Sequence, residues 1–189
     1  MAVSMKSICL SHKRLLDYAL ADGTFRFVDP RGDEQVNPSV VQRVWRKGSS
    51  QDWVIPLVQK LVSDGQQVIV FRETRGEDRG CAGYLASSLG LPPAQDALDA
   101  LPDGDPSTAS AVLRQALAGG VAFHISDLDR DERRVVEEQF RAPGTTLRVI
   151  AATTTLAMGV NTPASSVVIA GLEHPDGPYS VAEYKNHWC

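Results

Sequence analysis

From Gln66 onward the chain alternates short apolar runs with amphipathic stretches, an order that few architectures accept. The runs are Gln67-Val-Ile-Val-Phe71, Val121-Ala-Phe-His-Ile125, Leu147-Arg-Val-Ile-Ala-Ala-Thr153 and Ser166-Val-Val-Ile-Ala170. Each is strand-sized, rich in β-branched residues and close to continuously apolar. A strand with one wet face alternates apolar and polar residues, whereas a strand covered by helices on both faces does not. Between the runs, Glu77 to Leu89, Ser107 to Ala118 and Asp129 to Arg141 have helical composition. The last opens with Asp129 as N-cap and Glu132 three places on, which turns Val136 and Phe140 toward the sheet. The expected fold class is α/β: a doubly wound, mostly parallel sheet with helices on both faces.

The remaining stretches are less regular. Leu91 to Pro106 contains four prolines and Asp103-Gly-Asp105, and reads as a surface loop that lengthens the first crossover. Ser50 to Asp64 places Val54, Leu57, Val58, Leu61 and Val62 on one helical face, with Pro56 requiring an irregular first turn or a later start. Upstream, Thr24-Phe-Arg-Phe-Val28 reads as one arm of a hairpin, and Asp29-Pro-Arg-Gly-Asp33 as a turn. The expected organisation is a linker and β-hairpin arm over residues 1–49, then one α/β lobe over 50–189.

Composition narrows the function. With 189 residues, 43% apolar and 22% charged, there is material for a real core. A net charge of -4 supplies no bulk positive field, so any contact with nucleic acid must be local. No apolar run approaches the roughly 20 residues of a membrane span, and no membrane partner is expected. Cys9, Cys81 and Cys189 are scattered and odd in number, which favours a reduced, cytoplasmic setting. His12, His124, His174 and His187 lack metal-ligand spacing, and no Gly-x-Ser-x-Gly elbow occurs, so neither a metal site nor a catalytic residue is expected.

Three segments carry polar groups at strand ends. In Ala152-Thr-Thr-Thr-Leu-Ala-Met-Gly-Val-Asn-Thr-Pro-Ala164, hydroxyls and backbone N–H groups lie at the carboxyl end of a buried strand, where open α/β sheets bind ligands and phosphate oxygens find donors. Read from residue types alone, the same string is also an ordinary Thr-rich strand end with a turn at Asn161-Thr-Pro163. Arg72-Glu-Thr-Arg75 offers donors after the first run, or a solvated turn whose charge Glu73, Glu77 and Asp78 dilute. His124 lies near the end of the second run, where such a residue usually holds a loop by hydrogen bonding. Arg43, Arg46 and Lys47 around Trp45 form a further basic-aromatic cluster of a kind that touches nucleic acid, but it reads first as a solvated patch with one anchoring aromatic.

The Thr-rich segment resembles motif V of superfamily 2 helicases, in particular the superkiller-type (Ski-like) DExH branch, with the pattern Thr-Ser-Thr-Leu-Ala-x-Gly-Val-Asn-Leu-Pro-Ala. Thr153, Thr155, Leu156, Ala157, Gly159, Val160, Asn161, Pro163 and Ala164 match, and Thr162 departs from the usual Leu. Val68-Ile-Val-Phe-Arg-Glu-Thr-Arg75 is similar to motif IV. Gly120 to Arg133 resembles the following motif, Gly-x-x-x-His-x-x-x-Leu-x-x-x-x-Arg, through His124, Leu128 and Arg133. Pro178 to Asn186 looks like the approach to motif VI, but neither arginine of its Gly-Arg-x-Gly-Arg occurs before Cys189.

The resemblance implies the second RecA-like lobe of an ATP-dependent nucleic-acid helicase. It implies that Phe71, Arg72, Thr74, Arg75, His124, Arg133, Thr153 and Thr155 meet the backbone of single-stranded DNA or RNA. It implies that Gly159, Val160 and Asn161 couple that grip to an ATP cleft completed by a first RecA-like lobe. None of the five lysines follows a glycine, so the sequence has no P-loop. ATP and Mg are accordingly expected only in the complete two-lobe enzyme, none bound to this chain alone, and the isolated chain is expected to be inactive as an ATPase. A cut polypeptide or interrupted gene product fits the stop at Cys189. The alternative is a stand-alone, non-catalytic module that binds nucleic acid or a protein.

Overall fold

A computed structural model describes residues 49–103, 107–153 and 164–170, with the backbone alone at Ile169 and in the strands at 5–9, 14–19, 24–28, 34–38, 173–174 and 177–178. The strands are β1 (Met5–Cys9), β2 (Arg14–Ala19), β3 (Thr24–Val28), β4 (Glu34–Pro38), β5 (Val68–Arg72), β6 (Val121–His124), β7 (Val149–Thr153), β8 (Ser166–Ala170), β9 (Glu173–His174) and β10 (Gly177–Pro178). The helices are α1 (Gln51–Ser63), α2 (Arg75–Ser88), α3 (Gln95–Ala100), α4 (Thr108–Leu117) and α5 (Arg130–Arg141). Packing divides the chain into two units, Met1–Phe71 with Ala164–Cys189, and Arg72–Pro163.

In the first unit β5 pairs parallel with β8, with Val68 opposite Ser166 and Phe71 opposite Ile169. The other edge of β8 takes β1 antiparallel, and β2, β3 and β4 follow as an antiparallel meander. Thr24–Val28 is therefore a strand with neighbours on both sides. Pairing β1 onto β8 covers backbone groups that would otherwise be an open edge. α1 packs on β8 and buries Trp53, Val54, Leu57 and Val58. The stripe lies one turn earlier than its apolar spacing suggests, with Leu61 and Val62 only half-buried. Pro56 leaves the start of α1 in place. The entry turn is tightened instead, with the N–H groups of Asp52 and Trp53 donating to Ser49 O and Ser50 O, each at 3.1 Å.

In the second unit β6 pairs parallel with β7, Val121 opposite Val149 and His124 opposite Ala152. Every residue of both strands is buried, the pattern required when both faces are covered. α2 packs against β6, β7 and α4, while α4 and α5 also lie on β6. Leu85, Leu113, Leu117, Phe123, Phe140 and Ile150 fill the space between them, each stabilising the fold by about 1.5–3 kcal/mol through burial. The turn into β6 needs its glycines. A Cβ on Gly119 would lie 2.6 Å from Ala86 O, and Gly120 has φ +70° with Leu91 Cβ and Pro92 O each 2.7 Å from where its Cβ would be.

The expected loop from Leu91 to Pro106 contains a helix, α3, anchored where Ala94 N–H donates to Leu117 O at 2.8 Å. Ala94, Ala97 and Leu101 are buried, and Gln95 is joined to Asp99 at 2.7 Å. Proline density marks its flanks, not its interior. Among the described residues, no helix is long and apolar enough to cross a membrane.

Candidate nucleic-acid interface

Two helices of the Arg72–Pro163 unit, α2 and α5, start shortly after a strand ends. At the first, Thr74 is the N-cap of α2: its Oγ1 accepts from Glu77 N–H at 3.2 Å, and Glu77 Oε2 accepts from Thr74 N–H at 3.2 Å. This capping box satisfies two of the donors that a helix start leaves open. It also engages both polar groups of Thr74 that could reach a phosphate. Arg72 has a largely buried side chain, and its Nη2 lies 3.3 Å from Glu77 Oε1. Phe71 is buried at 4% exposure, within the core of its own unit.

Arg75, the first residue of α2, projects outward. Its Nη1 lies 2.5 Å from Asp127 Oδ1 and 3.4 Å from Ser126 Oγ, and Arg79 one turn on places Nη1 3.9 Å from Asp127 Oδ2. Asp127 sits in the turn after β6, which is closed by Leu128 N–H donating to Ile125 O at 3.3 Å and anchored by the buried Leu128 side chain. On the far side of that turn Asp129 caps α5, with Glu132 completing a second box. Arg133 Nε donates to Asp129 O at 3.3 Å. One turn thus gathers three arginines, Arg75 and Arg79 from α2 and Arg133 from α5.

His124, at the end of β6, is buried and joins Nε2 to Glu137 Oε1 at 2.8 Å. Burial lowers its pKa below the ordinary imidazole value, against the opposing pull of Glu137. The neutral ring carries its proton on Nε2 facing the carboxylate. It is placed to hold α5 against β6, not to exchange protons.

Asp78 is the least expected group. It is fully buried on α2, neither carboxylate oxygen has a hydrogen-bond partner, and burial pushes its pKa up to about 8 despite the Arg72 charge nearby. Its carboxyl is therefore largely protonated at neutral pH. Cys81 one turn on is buried, and desolvation pushes its thiol up to about 12, which leaves it unreactive.

Thr153 ends β7 and is buried at 8% exposure. Thr155, Gly159, Val160 and Asn161 lie outside the described residues, as do Arg43, Trp45, Arg46 and Lys47. Among the described residues no three His, Cys, Asp or Glu side chains form a group that could hold a metal ion. Asp131-Glu132 does not fit magnesium, because Glu132 closes the α5 cap and Asp131 pairs with Arg134 at 3.2 Å. Sequence reading missed Arg79, Ser126, Asp127, Glu137 and the burial of Asp78. Only Arg79 leaves a local signal, the repeat of Arg75 four residues on.

Residues 106–186 match the helicase conserved C-terminal domain family. The chain is 36% identical over 147 residues to the ATP-dependent DNA helicase Hel308 of Methanocella arvoryzae, covering 71% of this chain and 20% of the relative. It is 34% identical over 148 residues to that of Pyrobaculum calidifontis, covering 72% and 19%. Over 57 residues it is 51% identical to that of Pyrococcus abyssi, covering 30% of this chain and 8% of the relative. The chain spans about a fifth of the length of the first two relatives. The family match, the motif order and the α/β architecture of parallel strands and helices together support a superfamily 2 helicase C-terminal lobe with a RecA-like fold.

Proposed function

We propose that this chain is the strand-gripping second lobe of a Ski-like, ATP-dependent DNA helicase. The observation that carries the reading is the turn after β6, where Arg75 and Arg79 of α2 meet Asp127 and Arg133 of α5 meets Asp129 O, within a region that matches the helicase conserved C-terminal domain. Guanidinium groups fixed at a strand's carboxyl end suit the phosphodiester rail of a single strand, which they grip without reading bases. The relatives are named as DNA helicases, which favours DNA over RNA as the strand.

In this reading Arg75, Arg133 and Thr153 lie along the strand. Gly159, Val160 and Asn161 link that contact to a nucleotide cleft shared with a first RecA-like lobe, which supplies the phosphate cradle and the magnesium site. Arginine fingers accelerate phosphoryl transfer by roughly three to five orders of magnitude. The motif VI pair is absent from these 189 residues. The isolated chain therefore binds DNA without turning over ATP.

Anisotropy with labelled single-stranded DNA, single-stranded RNA and duplex tests this. Single-stranded DNA should bind tightest, weaken as salt rises, and lose about three- to tenfold in affinity on Arg133→Ala. Salt-independent binding, or ATP hydrolysis well above that of a Thr153→Val, Asn161→Ala variant, would refute it. Binding that the first lobe supplied in trans never alters would favour a stand-alone module.

A further inference from the structure

Arg75 and Arg79 are like charges at i and i+4 in the opening turns of a helix. Both features are unfavourable: the pair repels by about 0.2–0.5 kcal/mol, and cations oppose the positive end of the helix dipole. Asp127 offsets this with a single carboxylate that spans the two guanidiniums, leaving a residual positive charge at the site. Of the acids on the two helices, Glu77 is committed to Arg72 and the α2 cap, Glu132 to the α5 cap, Asp131 and Glu138 to Arg134, and Glu137 to His124, while Asp78 is buried and largely protonated at neutral pH.

The carboxylate is also replaceable. Arg75 is 59% exposed, Arg79 37% and Asp127 31%, and ion pairs this wet contribute roughly 0–1 kcal/mol. Asp127 sits on a turn whose backbone is held by the buried Leu128, so its side chain can swing out without disturbing the fold. Ser126 Oγ, 3.4 Å from Arg75 Nη1, adds a hydroxyl that can donate to whatever replaces the carboxylate. A phosphodiester carries the same single charge on two non-bridging oxygens and meets paired guanidiniums well.

We propose that Arg75, Arg79 and Ser126 form a seat for one backbone phosphate of the bound strand, and that Asp127 fills this seat until the strand displaces it. The inference rests on the strand-binding reading above. Asp127 then acts as a built-in competitor that keeps the lobe's resting affinity low. Binding exchanges one anion for another.

The test is anisotropy of the full chain with a labelled oligothymidylate across a salt series. Asp127→Asn should tighten binding about three- to tenfold, with the log K against log salt slope steeper by about 0.7, one single-strand phosphate contact. Arg79→Gln should weaken binding and abolish the gain from Asp127→Asn. Asp127→Ser, which removes the charge differently, should reproduce the gain. If the wild type binds but neither Asp127 variant tightens it, or if the gain survives Arg79→Gln, the phosphate seat is wrong and the strand-binding reading stands. If the wild type fails to bind at low salt, both fall.

Discussion

At β5–α2 and at β6–α5 a strand enters a helix through a capping box, Thr74 with Glu77 in one and Asp129 with Glu132 in the other. Past the cap the two helices diverge. α5 balances its charges along its own length, with Asp131 and Glu132 in the first turn, Arg141 in the last, Arg134 between Asp131 and Glu138, and Glu137 turned to His124, although Arg130 and Arg134 are like charges at i and i+4. α2 sets two arginines in its opening turns and buries an unpartnered carboxyl between them in sequence. Natural helices break local rules where something outside the helix compensates. The contrast locates the work at the start of α2, with α5 as its frame.

The largest way to sharpen that contrast is to remove the buried carboxyl. In the folded chain Asp78 keeps its proton up to about 8, while in the unfolded chain it releases it near 3.8. Between those values the folded state binds the extra proton, so stability from this site falls as pH rises. Asp78→Ala should flatten that part of the profile and stabilise the chain by about 1–3 kcal/mol near pH 9, where a charged, unsatisfied group is deleted. Denaturant unfolding at pH 5, 7 and 9 reads the effect. Parallel profiles for the two proteins would mean that Asp78 is solvated and that α2 breaks no rule there.

Next in size are the caps. Thr74→Ala and Asp129→Ala should each cost about 1 kcal/mol, measurable as matched shifts in the denaturant midpoint. Because Glu77 engages both polar groups of Thr74, its variant should bind single-stranded DNA within about twofold of the wild type. A loss well beyond that would make the hydroxyl a phosphate donor, as the motif resemblance implies, and the two boxes would differ in function.

His124 supplies the counterpart of Asp78 with opposite sign. Burial holds its folded pKa below 6.5, so the unfolded chain protonates first and stability from this site is lost as pH falls below 6.5. Glu137→Gln removes the contact that pulls the pKa upward. The imidazole should titrate lower still by NMR, at a stability cost of about 0.5–1.5 kcal/mol. An upward shift would show that the carboxylate is not the partner.

Much of the fold was legible because it rests on short-range physics. The four apolar runs became β5 to β8 with ends moved by at most two residues, and the α5 cap was plain from Asp129 and Glu132. The same signal stands at Thr74 and Glu77, but helical composition alone starts the helix at Glu77, and a polar turn after a strand has the residue types of a phosphate contact as well as of a cap. β1, β2 and β4 are short and interrupt their apolar residues with polar ones, and they exist through their neighbours in the sheet, which composition does not report. The site was legible only in part. Arg75 and Arg133 stood out by motif, but Asp127 is 52 residues from Arg75, and no periodicity reveals which acid an arginine meets.

The smallest expected effect separates the arginines most cleanly. Arg134 lies 3.2 Å from Asp131 and 4.0 Å from Glu138, all three well exposed and spaced by three and four residues along α5. Each charge there has an opposite neighbour on its own helix, so the group neither needs nor attracts a further anion. Arg134→Ala should shift stability by no more than about 0.5 kcal/mol, with an unchanged salt slope for single-stranded DNA. Arg75→Ala, which empties one side of a seat that its own helix disfavours, should flatten that slope. If both variants flattened it equally, the strand would be sensing diffuse surface charge, and nothing would distinguish the opening of α2 from the exposed face of α5.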